Sequence, residues 1–376
     1  MTPRIHTVEI RNHPRLPDHR ISLGEHRHLV LTGPNGSRKT TVLNAMVAAA
    51  LDDIGSGLEF ENLPMDDPFA AFAALAGPDE ERTNDKTHAH IIWSQELPSA
   101  LAMVLAHHTA NRTAEFEVPK GPKDFRVDPT RRRHTFASEF LQLLVNRHTS
   151  MLLRRARGDS GADSIAAEIE ELRDGLRHLF AEPTLAFELD ADAFKIEILI
   201  DGRSLYFPAL AAGHGALLQL VGDLYTRLTA SGLSRQSPGV VFIDEPELHL
   251  HPALQERVLP GLTTLFPSLQ FIVATHCAPV ISSIPDAWVH DLRDQTGISS
   301  SELQGRPYGS ILRSHFRVPT DYDRATTERV EAALERAGRA NDRPAKETVR
   351  TELEALLGTD DTRVLDMYTK LSLELA

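Results

Sequence analysis

Gly33-Pro34-Asn35-Gly36-Ser37-Arg38-Lys39-Thr40-Thr41 follows the apolar run Leu29-Val30-Leu31 and leads into a helix-like run from Thr40 to Leu51. Strand, glycine-rich turn and helix in that order predict an α/β unit. The same order suits a phosphate group. Backbone N–H groups of such a loop, and of the helix that follows, face the anion, a lysine reaches the outer phosphates, and a hydroxyl helps to hold magnesium. Lys39 and Thr40 fit the last two roles. The strict form of this motif has glycine directly before the lysine, where this chain has Arg38, a side chain that crowds the loop or adjusts it.

Two further apolar runs, Gly239-Val240-Val241-Phe242-Ile243 and Leu269-Gln270-Phe271-Ile272-Val273-Ala274-Thr275, have the character of parallel strands buried on both faces. Pro252 to Phe266 has the length of a crossover helix between them, which predicts a βαβ unit. The first run ends in Asp244-Glu245-Pro246. An acid at the carboxyl end of a buried strand suits a magnesium ion, and the next glutamate is placed to polarise an attacking water. The second run ends in Thr275-His276, where a histidine can sense the outer phosphate.

The chain of 376 residues carries 53 acidic and 40 basic residues, a formal charge of -13, which excludes a uniformly basic nucleic-acid coat. The charge is uneven. Residues 51–85 hold ten acids and one base, whereas residues 111–157 hold eleven bases and five acids, among them Arg131-Arg132-Arg133 and Arg154-Arg155. This swing suggests an inserted lateral region. Ile165, Ile169, Leu172, Leu176 and Phe180 recur at helical spacing. Beyond Ala325 short amphipathic helices are expected, broken near Asn341 to Pro344 and at Gly358. One cysteine, Cys277, excludes an intramolecular disulfide and paired-thiolate zinc. The opening residues lack a secretory pattern and no apolar run has membrane length, so a cytoplasmic protein without membrane association is expected.

Together these motifs resemble a soluble ABC-type ATPase, of the class that includes the coiled-coil repair ATPases, RecF and the OLD-like proteins. Asp244-Glu245-Pro246-Glu247-Leu248-His249-Leu250-His251-Pro252 is similar to the extended Walker B and D-loop pattern of the OLD-like branch, and Thr275-His276 to the switch histidine. The resemblance implies a P-loop head that binds ATP and Mg2+ and dimerises head to tail around nucleotide. Gly33, Pro34, Asn35, Gly36, Ser37, Arg38, Lys39, Thr40 and Thr41 would then hold nucleotide, Thr40 and Asp244 the ion, and Glu245 and His276 would be catalytic. It also implies a signature segment, at Leu210-Ala211-Ala212-Gly213-His214-Gly215-Ala216, in which Gly213 would meet the phosphate and Ala211 replaces the usual serine.

The head is expected over residues 1–50 and 185–300, the inserted region over 51–184, and a helical region over 301–376. The region from Ile91 through Leu144, together with the tail Tyr308 to Arg313, resembles Septu-type and retron-associated phage-defence ATPases, which commonly work with a separate nuclease. The expected function is therefore an ATPase that controls an effector nuclease in defence. An ATP-gated scaffold with little turnover and a RecF-like repair ATPase are the alternatives, and a transporter subunit fits less well. Nucleic acid could be met by the region from Arg112 to Arg157. Gln142 reads as a surface glutamine, with a magnesium-sensing role as the alternative. The histidine pairs assemble no metal site, and the residues after His276 lack the acid pattern of a nuclease domain.

Overall fold

The protein was analysed as a computed structural model that describes residues 2–56, 88–97, 103–110, 119–124, 137–190, 194–205, 212–284, 286–316, 324–339, 342–359, 364–366 and 369. In chain order these hold β1 (Ile5–Ile10), β2 (His19–Ser22), β3 (His28–Thr32), α1 (Lys39–Ser56), β4 (Ala89–Trp93) and β5 (Val104–His108). Next come α2 (Phe140–Ala156), α3 (Gly161–Phe180), β6 (Ala186–Asp190), β7 (Lys195–Ile200), β8 (Arg203–Leu205), α4 (Ala212–Ala230) and β9 (Gly239–Asp244). They are followed by α5 (Pro252–Gln255), α6 (Val258–Leu265), β10 (Leu269–Ala274), α7 (Ala278–Ile281), β11 (Ala287–Asp291) and β12 (Thr296–Ser299). The last helices are α8 (Tyr308–Ser314), α9 (Arg324–Arg339) and α10 (Arg343–Leu357). Two compact units divide the chain, residues 1–306 and 307–376.

In the first unit, β12-β11-β3-β10-β9-β5 form one sheet, in which every pairing is parallel except that of β12 with β11. The runs of Leu, Val, Ile and Phe explain why β3, β9 and β10 are buried at every position. A parallel sheet covered on both faces has no solvent side to supply polar residues. The register pairs Leu31 with Ala274 and Ala274 with Asp244. The carboxyl ends of β3, β10 and β9 therefore lie side by side at one edge, where open α/β sheets bind ligands.

A second, antiparallel sheet, β2-β1-β4, contributes Ile5, Val8, Ile10, Ile21 and Ile91 to the same core as Leu29, Phe242 and Ile272. Helix α1 packs against β4 of this sheet and against β9 and β10 of the larger one, through Leu43, Met46, Val47 and Ala50. Each of these larger side chains contributes about 1.5–3 kcal/mol by burial. Gln270 is a polar link between the sheets. Its Oε1 accepts from Ile5 N–H at 2.6 Å and its Nε2 donates to the carbonyls of Ile5 (2.8 Å) and Arg27 (2.7 Å). Buried, with three partners, the amide of Gln270 replaces its lost hydration.

Helices α2 and α3 pair with each other, and α3 also packs against α6. The apolar stripe predicted on α3 is the buried one, Ile165, Ile169, Leu172, Leu176 and Phe180. Strands β6-β7-β8 form a third, antiparallel sheet. Three expectations change. Strands β4 and β5 lie within residues 51–184, yet they pair with β1 and β9, so the segment expected to be an insertion supplies strands to both core sheets. The single crossover helix is broken into α5 and α6 where Arg257 N–H closes a tight turn onto the Leu254 carbonyl. Gln142 is buried rather than on the surface, with its amide donating to the Gly121 carbonyl and to Asn146 Oδ1, both at 2.9 Å.

The second unit pairs α9 with α10 over Val330, Ala333, Val349 and Leu353. Asp342 caps α10 by accepting from Ala345 N–H at 2.8 Å, and Pro344 occupies the first turn, where a missing N–H costs nothing. Among the described residues, no helix is long and apolar enough to cross a membrane.

Candidate nucleotide site

The loop between β3 and α1 is shaped by positive backbone angles. Gly33 has φ 143° and Gly36 φ 83°. A Cβ on Gly33 would meet Ser37 Oγ at 2.7 Å, so the turn needs both the conformational freedom and the absent side chain. Arg38 has φ 67°, the left-handed region in which an L side chain is strained. Arg38 thus takes, at the position where the strict motif has glycine, a backbone conformation that glycine favours. The Arg38 guanidinium donates to the carbonyl of Arg15, in the turn that joins β1 to β2.

Lys39 begins α1 and folds back along the loop. Its Nζ donates to the carbonyls of Gly33 at 2.9 Å and Pro34 at 3.2 Å. Burial pushes its pKa down, opposed by the carboxylates of Glu245, Asp244, Glu247 and Asp291. The ammonium is therefore held by the two loop carbonyls, with burial outweighing the acids that favour its charge. The first turn of α1 carries no acidic residue, so nothing on the helix itself offsets the positive potential of its exposed N–H groups.

Thr40 Oγ1 donates to Asp244 Oδ2 at 2.8 Å, joining the loop to the end of β9. Glu245 follows with φ 46°, while its N–H donates to the Ala274 carbonyl at 2.8 Å. Just past the neighbouring strand β10, His276 Nδ1 lies 3.5 Å from Glu245 Oε1 and 3.7 Å from Glu247 Oε1. The structure therefore brings Lys39, Thr40, Asp244, Glu245 and His276 together. Pro34, Asn35, Ser37 and Thr41 belong to the same loop or first helical turn.

Gly213 lies in the first turn of α4, against the segment that follows β9. A Cβ there would sit 2.8 Å from the His249 carbonyl oxygen. Leu210 and Ala211 lie outside the described residues. Of the expected basic face, Arg112 and Arg131 to Arg133 also lie outside them, whereas Arg147, Arg154 and Arg155 pair with Glu168, Asp159 and Asp163.

Two acids were not among the expected site residues. Glu247 is buried and accepts from Thr275 Oγ1 at 2.6 Å, with burial raising its pKa against the pull of that bond. It stood in the motif itself, with no signal that its side chain turns inward. Asp291 ends β11, pairs in register with Thr32, and lies 3.5 Å from the point a Gly33 Cβ would occupy. Nothing in Ala287-Trp288-Val289-His290-Asp291 links it to a loop so distant in sequence.

The Retron Vc95 probable ATPase of Vibrio cholerae serotype O1 biovar El Tor is 32% identical over 115 residues, covering 27% of this chain and 22% of that protein. The Septu protein PtuA of Bacillus thuringiensis is 27% identical over 99 residues, 25% of each. The chain thus spans about a quarter of the length of these relatives. Among solved structures, an SmcHead bound to the C-winged helix domain of ScpA aligns at 14% identity and TM-score 0.41, covering 80% of this chain and 99% of that one. The parallel sheet, with the phosphate loop and the acids Asp244 and Glu245 at its carboxyl edge, has the fold of a P-loop α/β domain. With residues 29–282 matched, the chain belongs to the family described as "AAA domain, putative AbiEii toxin, Type IV TA system".

Proposed function

We propose that this protein binds and hydrolyses ATP with Mg2+, closes into a dimer around the nucleotide, and thereby controls a separate effector nuclease in defence against phage. The observation that carries the reading is the Thr40 to Asp244 hydrogen bond, 2.8 Å long, between groups 204 residues apart in sequence. A hydroxyl beside a carboxylate is a donor set of hard oxygens, which fits Mg2+. Thr40 and Asp244 would hold the ion, which would neutralise charge on the phosphates. Lys39 and the N–H groups from Gly33 to Thr41 would orient the phosphates. Glu245 would hold the attacking water through its carboxylate, and His276 would contact the outer phosphate. Gly213 would act across the dimer, on the partner's nucleotide.

The proposed head comprises residues 1–50 and 185–300 together with β4 and β5. Defence is supported by the kinship with the retron and Septu proteins, and the nuclease partner by the motif resemblance to ATPases that work with a separate nuclease. The test is hydrolysis of ATP by the purified chain with Mg2+, alongside Glu245→Gln. Turnover in the wild type, and an ATP-bound dimer trapped by the variant in sedimentation, are expected. Equal turnover in both would exclude Glu245 from the chemistry.

One observation favours a second reading, a scaffold gated by ATP that turns over slowly. Arg38 keeps the phosphate loop tied to the Arg15 carbonyl, a contact absent when glycine holds that position. A turnover number that rises only when DNA and the partner are added would favour this form.

A further inference from the structure

We propose that Glu247 is a positioning residue for His276, acting through the hydroxyl of Thr275. The inference rests on the ATPase reading above for its kinetic consequence, though its structural part stands alone. Thr275 is fully buried and its three polar connections fix the chain on both sides of the histidine. Its N–H donates to the Leu31 carbonyl at 3.0 Å, which anchors it to the strand that carries the phosphate loop. Its Oγ1 accepts from Cys277 N–H at 3.0 Å and donates to Glu247 Oε1 at 2.6 Å. A hydroxyl that both accepts and donates has no rotational freedom left, so the peptide planes flanking His276 are set by where Glu247 stands.

Glu247 is itself held in place. It is 7% exposed, and Leu250 N–H closes a turn onto its carbonyl at 2.9 Å. Besides the Thr275 hydroxyl, the backbone N–H groups of Glu247 and His276 face its carboxyl, and the His276 ring lies 3.7 Å away, so Thr275 and His276 are what its side chain is arranged for. Burying a carboxyl group costs stability, and an alanine or leucine would serve the core better. The arrangement is explained if the carboxyl sets the histidine 3.5 Å from Glu245 Oε1, the distance from which one ring can answer to both the nucleotide and the water-holding acid.

The segment from Glu245 to His251 then has two ends with separate duties. At Glu247 it fixes the histidine of its own site. At His249, whose carbonyl abuts Gly213, it touches the helix that would serve the partner's site.

The test uses the full chain with Thr275→Val, Thr275→Ser and Glu247→Ala, read in two ways. Ring resonances of His276 in 15N-histidine-labelled protein, assigned by loss in His276→Gln, should shift in the Val and Ala variants and return in the Ser variant. Turnover should fall at least tenfold in Val and Ala and recover to within about twofold in Ser, with affinity for a fluorescent ATP analogue and Mg2+ within twofold of wild type throughout. Unmoved ring resonances in folded Thr275→Val and Glu247→Ala would overturn the proposal. If the wild type itself fails to hydrolyse ATP, the ATPase reading falls and the resonances still decide whether Glu247 places the ring.

Discussion

The Thr40 hydroxyl donates to Asp244 Oδ2 at 2.8 Å and so ties the first turn of α1 to the end of β9 across β10, the strand that lies between β3 and β9. Neither residue can be placed against the other from local sequence. A hydrogen bond to a charged carboxylate is worth about 1.5–3 kcal/mol. Asp244→Asn keeps the shape and removes the charge, and it should weaken Mg2+-dependent ATP binding by roughly tenfold or more. Titration of a fluorescent ATP analogue, with Mg2+ and with EDTA, measures this. Equal affinities in variant and wild type under Mg2+ would remove Asp244 from the ion site.

Arg38 combines a strained backbone with a stabilising side-chain contact, and two substitutions separate them. At φ 67° glycine relieves strain of about 1–2 kcal/mol but loses the bond to the Arg15 carbonyl, worth about 1 kcal/mol. Arg38→Gly should leave stability to urea unchanged or slightly raised. Arg38→Ala keeps most of the strain and loses the bond, so it should be less stable than wild type by about 1 kcal/mol. Urea unfolding midpoints compare the three proteins. Alanine more stable than glycine would show that the left-handed backbone is not imposed by the loop.

The parts of the fold that could be read in the sequence are those whose pattern is local. Strands β3, β9 and β10 are continuous apolar runs because both of their faces are covered, and the loop between β3 and α1 announces itself by its glycines. Strands β1 and β4 are different. Their burial is interrupted rather than continuous, they carry His6 and His90, and the place of β1 depends on Gln270 reaching the Ile5 backbone from 265 residues away. Strand β5 ends in His107-His108 and lies between segments of opposite charge, so composition pointed to an insertion while its pairing is with β9. In the site, Lys39, Thr40, Asp244, Glu245 and His276 were legible from spacing. Glu247 and Asp291 were not, because what places them is the packing of loops at one sheet edge, which no spacing records.

Gly213 marks a close approach between α4 and the segment after β9. An added methyl group would press on the His249 carbonyl oxygen at 2.8 Å, a backbone atom that cannot rotate away, and His249 already has φ 67°. Gly213→Ala should therefore cost about 1–3 kcal/mol by overpacking, while the intrinsic preference of alanine for helix offsets up to about 1 kcal/mol. The Tm of the variant should fall by several degrees, and its ATP-dependent dimer should weaken in sedimentation. A Tm at or above that of wild type would mean that α4 moves away from the loop without penalty.

His28 gives the clearest dependence on pH. It is buried in β3, and its Nδ1 accepts from Phe271 N–H at 3.0 Å, which requires the neutral ring with its proton on Nε2. Burial, aided by the charges of Arg27 and Arg4, pushes its pKa down to about 3 from an ordinary 6.5. The unfolded chain takes up this proton below pH 6.5 and the folded protein does not until near pH 3, so the unfolded state binds more protons between those values. Stability is complete above pH 6.5 and falls as the pH drops, by about 2 kcal/mol at pH 5 from this group alone. His28→Gln retains an acceptor for Phe271 N–H and does not titrate. Urea unfolding at pH 7.5 and pH 5 should show a loss for the wild type about 2 kcal/mol greater than for the variant. Parallel losses in the two proteins would mean that His28 is protonated inside the fold without cost, and that the Phe271 bond is not what holds β3 against β10 at that point.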